Sequence, residues 1–457
     1  MTQDDATETW TGTVESLAPD GNGIGTVHER TPDGRPVRRP IFIPYVTPGD
    51  RIEARVTARK GKCLFGETLR VIEPSPNRVA PYCPHFSVCG GCDLEHIAYD
   101  EQLRQKARII THQLAKAGVT LPHPIAVTAA MERHRYRCRA RIAVRFDDRV
   151  NAGFRKRRSR EIVPVSACWI VTAPILDFIT ALNVSQPPAG LSGAETELIV
   201  VGEKGKIGVL ARMDKVPEAH RRALRTWLED IYADNRGLIG NVLVDENRSV
   251  RALGQVQEHF SYATDGLSFG FSPETFIQAN LSTNETLVDQ AMRFLLRERD
   301  GASMTIIDLY AGIGNLSLPA AKRGARVIAI EGHEASVHIA RTNATRNRLD
   351  NVLFLHRSTE RYLKEWLRHR ADGKTHPEHP AADAIIVDPP RTGLSAPARV
   401  LLARAGVPRI VYVSCDAATL ARDLRHLAPA YRLADIAGID MFPDISHVET
   451  VCLLERS

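Results

Sequence analysis

The feature that most constrains this chain is the rhythm of its last third. From residue 304 onward, Met304-Thr-Ile-Ile-Asp-Leu, Ala325-Arg-Val-Ile-Ala-Ile-Glu, Val352-Leu-Phe-Leu, Asp383-Ala-Ile-Ile-Val-Asp and Arg409-Ile-Val-Tyr-Val-Ser each run into a turn and a helix-like stretch. Strands covered on both faces read as continuous apolar, β-branched runs. Their alternation with helices calls for a doubly wound α/β sheet of parallel strands. The polar, proline-bearing stretch Ala371 to Ala382 interrupts the rhythm and is expected to be an exposed loop.

The chain has 457 residues, and at roughly 150 residues per domain it is expected to form about three. Residues 9 to 72 alternate in strand fashion around Asp20-Gly-Asn-Gly and Pro48-Gly-Asp turns, so 1–73 reads as a small β-barrel. Prolines 74 to 84 mark a linker into a strand-rich central domain, 74–262, and the α/β domain takes 263–457. Tyr99, Leu103, Ala107, Ile110, Leu114 and Ala117 recur at helical spacing, with Gly118 as the stop, and this helix is a candidate to pack on the α/β domain. No apolar run approaches the roughly 18 residues of a membrane span. The acidic, polar start is unlike a signal peptide, so a cytoplasmic protein without a membrane partner is expected. Eight cysteines in such a setting are ligands, nucleophiles or buried thiols rather than disulfides.

In Asp308-Leu-Tyr-Ala-Gly-Ile-Gly-Asn315 a strand ends in an acid and turns through two glycines into a helix. Such a turn lets backbone approach a ligand, and Glu331, at the tip of the next strand, is placed to bond both hydroxyls of a ribose. Asp388-Pro-Pro-Arg-Thr-Gly follows a later strand, its prolines stiffening the loop that presents the carboxylate. Cys415 ends the next strand just ahead of a helix start near Ala417. Alone it reads as a buried small hydrophobe. A strand tip beside a helix N-terminus also favours thiolate, the nucleophilic form. Carbon 5 of uracil is a poor nucleophile until a thiolate adds to carbon 6, after which it accepts a methyl from a sulfonium and must lose its proton to a base. Glu449, in His447-Val-Glu-Thr, is the candidate base.

Cys83, Cys89 and Cys92, with two glycines between the last two, put three thiols within ten residues. Zinc and an iron-sulfur cluster fit this spacing equally, and the fourth ligand is open between Cys138 and Cys168. Arg133, Arg135, Arg137, Arg139 and Arg141 fall on alternate residues. On a strand they would share one face at ~6.6 Å intervals, close to the spacing of phosphates. Arg155-Lys-Arg-Arg-Ser-Arg adds a denser run, and together they point to a polyanion, with Phe276 a candidate to stack on a base.

Phe276-Ile-Gln-Ala-Asn, the Asp308–Asn315 run, the Asp388 segment, Ser414-Cys-Asp and His447-Val-Glu together resemble the RNA uracil-5 methyltransferases, in the same order along the chain. The resemblance implies S-adenosylmethionine as cofactor and Cys415 as nucleophile, with Glu449 as proton acceptor. It also implies that Gln278, Tyr310, Asn315, Glu331 and Asp388 bind or position cofactor and base. Ala311, Ser358 and Ala417 depart from residues common in the family. It further implies that Cys83, Cys89, Cys92 and Cys168 hold a [4Fe-4S] cluster, zinc being the alternative, and that the amino-terminal barrel is an RNA-binding TRAM domain of the oligonucleotide-binding type. Members with both additions mostly resemble bacterial 23S rRNA enzymes, so rRNA is the expected substrate ahead of tRNA, acted on by a monomer without a protein partner. The reading from another class is an RNA-binding protein that has kept the fold without catalysis.

Overall fold

A computed structural model describes residues 8–31, 33–213, 216–246, 249–253, 260–373 and 376–457. Among them the strands form sheets of six, seven and eight strands and one separate hairpin. No described helix is long and apolar enough to cross a membrane.

The six-stranded sheet is ordered Thr9–Thr13, Arg51–Lys60, Cys63–Glu73, Pro36–Ile43, Gly23–Arg30, Ser16–Leu17. Its core is Trp10, Val14, Ile41, Ile43, Val46, Ile52, Ala54 and Leu64. A β-carbon on Gly12 or Gly25 would stand 2.3 Å from the Trp10 ring, so only glycine lets the indole lie between these strands. The seven-stranded sheet, from Arg139–Phe146 to Ser249–Ala252, has its own core, in which Phe146 meets Trp227 edge to face at 5.0 Å.

The eight-stranded sheet carries the site. Its order is Val352–His356, Arg326–Glu331, Thr305–Leu309, Ala384–Val387, Arg409–Ser414, Glu449–Arg456, Tyr431–Ile439, Val127–Thr128. The first five strands are parallel, as their apolar runs require. The sheet as a whole is mixed, which corrects the parallel expectation: Glu449–Arg456 runs antiparallel to both its neighbours. Thr305–Leu309 lies where the order reverses, its neighbours being the second and fourth strands of the parallel set, and ligands bind in the crevice at such a switch point.

The helix Tyr99–Lys116 packs on this sheet's outer layer against the helix Ala417–Leu427, burying Ile109, Ile110 and Leu114 with Leu420 and Leu424. Gly118 follows it with φ +74°, the left-handed stop its position suggests. The boundary expected between 262 and 263 falls inside the hairpin Phe260–Thr264/Leu267–Phe271, which packs on the α/β core. Asp265-Gly266, with φ of 52° and 67°, forms its two-residue turn. The stretch expected to be an exposed loop before Ala384 is not uniformly exposed: His379 is buried, while Lys374 and Thr375 lie outside the described residues.

Candidate active site

At the switch point the chain leaves Leu309 through Tyr310, Gly312 and Gly314, with φ of 64°, 56° and 95°. These left-handed turns fold the loop over the strand tips, and the space beside the Gly312 α-carbon is open. Glu331 accepts the Gly312 N–H at 2.9 Å on one carboxylate oxygen and the His333 N–H at 2.7 Å on the other. Each oxygen is thus aimed while lone pairs remain for two hydroxyls. Behind the loop, buried Asp308 takes the Ser317 hydroxyl on Oδ2, and its Oδ1 has no partner. Burial, with Asp388 and Glu331 nearby, raises the Asp308 carboxyl to about 7.

Asn315 sits differently from a free ligand contact. Its Oδ1 accepts from Asn284 Nδ2 (2.9 Å) and from the Tyr262 hydroxyl (3.1 Å), and its Nδ2 donates to Asn284 Oδ1 (2.9 Å). The amide therefore ties the glycine turn to the helix Leu281–Leu295, with one N–H left over. Ser358 caps the helix Thr359–Ala371, accepting the Arg361 N–H. Tyr310 is half-buried, and burial pushes its hydroxyl up to about 12. Gln278 is buried in the segment leading to Asn280, whose side chain caps the Leu281–Leu295 helix. The Cys138 N–H donates to the Ala279 carbonyl at 2.9 Å and its Sγ approaches the Gln278 carbonyl at 3.5 Å, which fastens this segment to the arginine-rich one. Phe276 is 61% exposed beside it.

Register brings the reactive groups together. Ser414 is paired with Thr450 across the antiparallel ladder, so Cys415 and Glu449 are the next residues on either strand at the same edge. Val387 pairs with Leu309 and with Tyr412, which sets Asp388 between the glycine turn and Cys415. Glu449 is buried and, with Asp388 facing it, has its carboxyl raised to about 8; burial alone lifts Asp388 to about 7.

The thiol departs from expectation. Asp416, rather than Cys415, occupies the helix N-terminus, its carboxylate accepting the Ala418 and Thr419 N–H groups at 3.1 and 2.9 Å. Burial first, then Glu449 and Asp388, push Cys415 up to about 12. At that value the thiol is protonated at neutral pH, and Arg391 is the cation that opposes this. Sequence reasoning passed over Arg391 as one letter of its motif, although it is the charged residue on the stiffened loop beside the cysteine. It also passed over buried Asp423, which accepts the Leu394 N–H (2.8 Å) and the Tyr412 hydroxyl (2.7 Å) and so anchors that loop to the Cys415 strand.

Away from this edge, Cys83, Cys89, Cys92 and Cys168 line one cavity with Phe86, Phe154 and Val165. Cys138 is not among the lining residues. A β-carbon on Gly90 would stand 2.8–2.9 Å from Arg157 N and Arg155 O, so glycine is needed where the cysteine segment presses on the Lys156 turn. The arginine row is only partly a strand. Regular structure begins at Arg139, and Arg135 has φ +55°. Arg133 lies over the Tyr99 ring (4.1 Å), Arg137 over Phe442 (5.8 Å), and Arg139 is largely buried. The row alternates with buried Tyr136, Cys138 and Ala140, but it is a set of anchored side chains and not an open ladder.

The sheet edge thus gathers a crevice at the strand reversal, an acid held by two backbone N–H groups and a thiol beside a buried carboxylate. Residues 241–457 match the family described as tRNA (Uracil-5-)-methyltransferase. The chain is 34% identical over 453 residues to the 23S rRNA (uracil(1939)-C(5))-methyltransferase RlmD of Pectobacterium atrosepticum, covering 97% of this chain and 93% of that one. It is 32% identical to the protein of the same name from Vibrio parahaemolyticus, covering 97% and 95%. The chain belongs to the RNA uracil-5 methyltransferase family. Its fold is also that of the Pyrococcus abyssi tRNA (uracil-54, C5)-methyltransferase solved with S-adenosyl-L-homocysteine, at TM-score 0.68, 24% identity and coverage of 97% and 100%.

Proposed function

We propose that the protein methylates carbon 5 of a uridine in 23S rRNA, with Cys415 as nucleophile and Glu449 as base. The observation that carries this is the register placing the two side by side at the sheet edge, with Asp388 between them and the glycine turn. S-adenosylmethionine, when bound, supplies an electrophilic methyl group. Glu331, Tyr310 and Asp388 would hold it, with Asn315 bracing the turn; the open space at Gly312 and the unpartnered oxygen of Asp308 suit a ligand there.

Cys415 gives up its proton to solvent as the uracil enters, Arg391 favouring the thiolate and Glu449 staying ionised, and the sulfur adds to carbon 6. Electron density moved onto carbon 5 takes the methyl group. Glu449 then removes the carbon 5 proton, the carbon–sulfur bond breaks, and the thiolate returns. Asp388 raises the affinity of Glu449 for that proton by its charge. Gln278 and Phe276 would position the base, Phe276 by stacking.

Residues 1–73 are read as a barrel that binds RNA, followed by a central unit and the methyltransferase unit. The four-cysteine cavity fits a [4Fe-4S] cluster. Four thiols lining one enclosed space would also suit zinc, which stays the alternative. The cavity lining does not include Cys415, Glu449 or Asp388, and the cluster's proposed part is to hold the surface around Trp169 and Tyr82, both substantially exposed.

The test is twofold. Incubation with RNA carrying 5-fluorouridine traps a covalent protein–RNA adduct in the parent and none in Cys415→Ala. Mapping 5-methyluridine in cells with and without the protein shows a lost mark in 23S rRNA; loss in tRNA alone would overturn the substrate.

A further inference from the structure

Where the helix Thr359–Ala371 ends and the chain returns toward the strand Ala384–Val387, three histidine rings gather. The His369 and His379 rings stack with centroids 4.7 Å apart, and His376 lies 5.1 Å from His379 and 5.3 Å from His369. Glu378 joins them: donor atoms of His376, Glu378 and His379 all lie within 4.8 Å of one another. His379 is 5% exposed, and its Nδ1, like that of His369, is buried without a hydrogen-bond partner. A buried imidazole nitrogen left unpaired is costly, and proteins seldom leave two together without something to fill the gap.

The surroundings are built. Tyr362, Trp366 and His369 recur along one helix face, and the first two hold the segment opposite: the Tyr362 hydroxyl donates to the Glu378 carbonyl (2.9 Å) and Trp366 Nε1 to the Pro380 carbonyl (2.7 Å). The His379 N–H donates to the His376 carbonyl at 2.9 Å, closing a turn that puts both rings on the same side. Arg357 Nη2 meets Glu378 at 2.8 Å and its Nη1 meets Glu365 at 3.2 Å. One guanidinium is thus shared by two carboxylates, and Glu378 keeps an oxygen for another partner, as metal-bound carboxylates commonly do.

We infer that His376, Glu378 and His379, completed by His369, form a site for one divalent transition-metal ion of the zinc type. Three imidazoles and one carboxylate are a nitrogen-and-oxygen set that such an ion accepts tetrahedrally, while calcium and magnesium prefer oxygen alone. The ion would fasten the end of the helix to the segment that leads into the Ala384–Val387 strand, and so to the strand that presents Asp388. This role is structural and separate from methyl transfer.

Cobalt(II) distinguishes this site from the cysteines, because cobalt bound to thiolate gives an intense near-ultraviolet charge-transfer band and cobalt bound to imidazole and carboxylate does not. Titrated into the full-length protein purified anaerobically, Co²⁺ is expected to bind at one equivalent without that band and to raise the thermal unfolding midpoint. His376 is exposed, so His376→Gln removes a ligand without disturbing the core, and His379→Gln removes a second. Each is expected to weaken binding at least about tenfold and to abolish the thermal shift. Equal binding by parent and His376→Gln, or uptake accompanied only by the thiolate band, or no uptake, overturns the site and leaves three stacked neutral imidazoles.

Discussion

Asp93 and Ser446 are joined twice: the Asp93 carboxylate accepts the Ser446 N–H at 2.7 Å and its hydroxyl at 2.8 Å. Asp93 follows Cys92 directly, and Ser446 stands three residues ahead of Glu449. Nearby, Gln102 donates to the Asp444 carboxylate (2.9 Å) and accepts the Asp444 N–H (3.0 Å). The segment that aims the base is therefore latched to the segment that carries the cysteines. Replacing Asp93→Ala should lower kcat by about ten- to a hundredfold through misplacement of Glu449. Cofactor affinity should hold, because the glycine turn is anchored elsewhere. Single-turnover rates alongside a cofactor Kd check this; a fall in affinity with unchanged kcat would contradict it.

Glu449→Gln keeps the shape and removes the base. Addition and methylation should proceed while proton removal fails, so unmodified RNA should accumulate as a methylated covalent adduct, with turnover reduced about 10²–10⁴-fold. Denaturing gels with methyl-labelled cofactor read the adduct directly, and full loss of methyl incorporation without an adduct would assign Glu449 to an earlier step.

The pH profile follows from burial. In the proposed role Glu449 must be ionised to accept a proton, and burial first, then the Asp388 charge, raise its carboxyl to about 8. The chemical step should accelerate with pH up to about 8, and in Asp388→Asn the midpoint of that limb should move down. The sign for stability is opposite. Asp308, Asp388 and Glu449 all have folded values above the ordinary carboxylate range, at about 7, 7 and 8. Their protonated forms favour the fold, so stability is fully present below about pH 4 and declines as pH rises through 7 to 8. Thermal unfolding of the cofactor-free protein from pH 5 to 8.5 should show a falling midpoint.

Much of this architecture was legible because its signals are local. Continuous apolar runs such as Ile306-Ile307 and Ile385-Ile386-Val387 announce strands buried on both faces, and two glycines after Asp308 announce the turn. What escaped depends on partners distant in the chain. Nothing near Glu449 says that its strand inserts antiparallel beside Arg409–Ser414, since that pairing is decided by closure over some forty residues. The helix N-terminus read as an aid to the thiolate is used by Asp416, a competition visible only once both side chains have positions. The arginine alternation is real, yet Tyr99 and Phe442 claim two of its members, and those rings come from opposite ends of the sequence.

Lys106 and Asp440 form an ion pair at 2.6 Å with both side chains wholly removed from solvent. Lys106 also donates to the Phe442 carbonyl at 2.9 Å, while Asp440 Oδ2 has no partner. Lys106→Met should strand that carboxylate and cost about 3–5 kcal/mol in urea unfolding. The double change with Asp440→Asn should recover part of the loss, and a double loss equal to the sum of the two single losses would show the pair to be uncoupled.

The insertion of Glu449–Arg456 between two earlier strands also sets a timetable. A ribosome releases the glycine turn, then Asp388, then Cys415, and only afterwards Glu449, the proposed proton acceptor. Until that last segment threads into its gap the nascent protein holds a thiol without its base, so a chain that can attack uracil but cannot let go of it is avoided by the order of synthesis only if Cys415 stays covered while it waits.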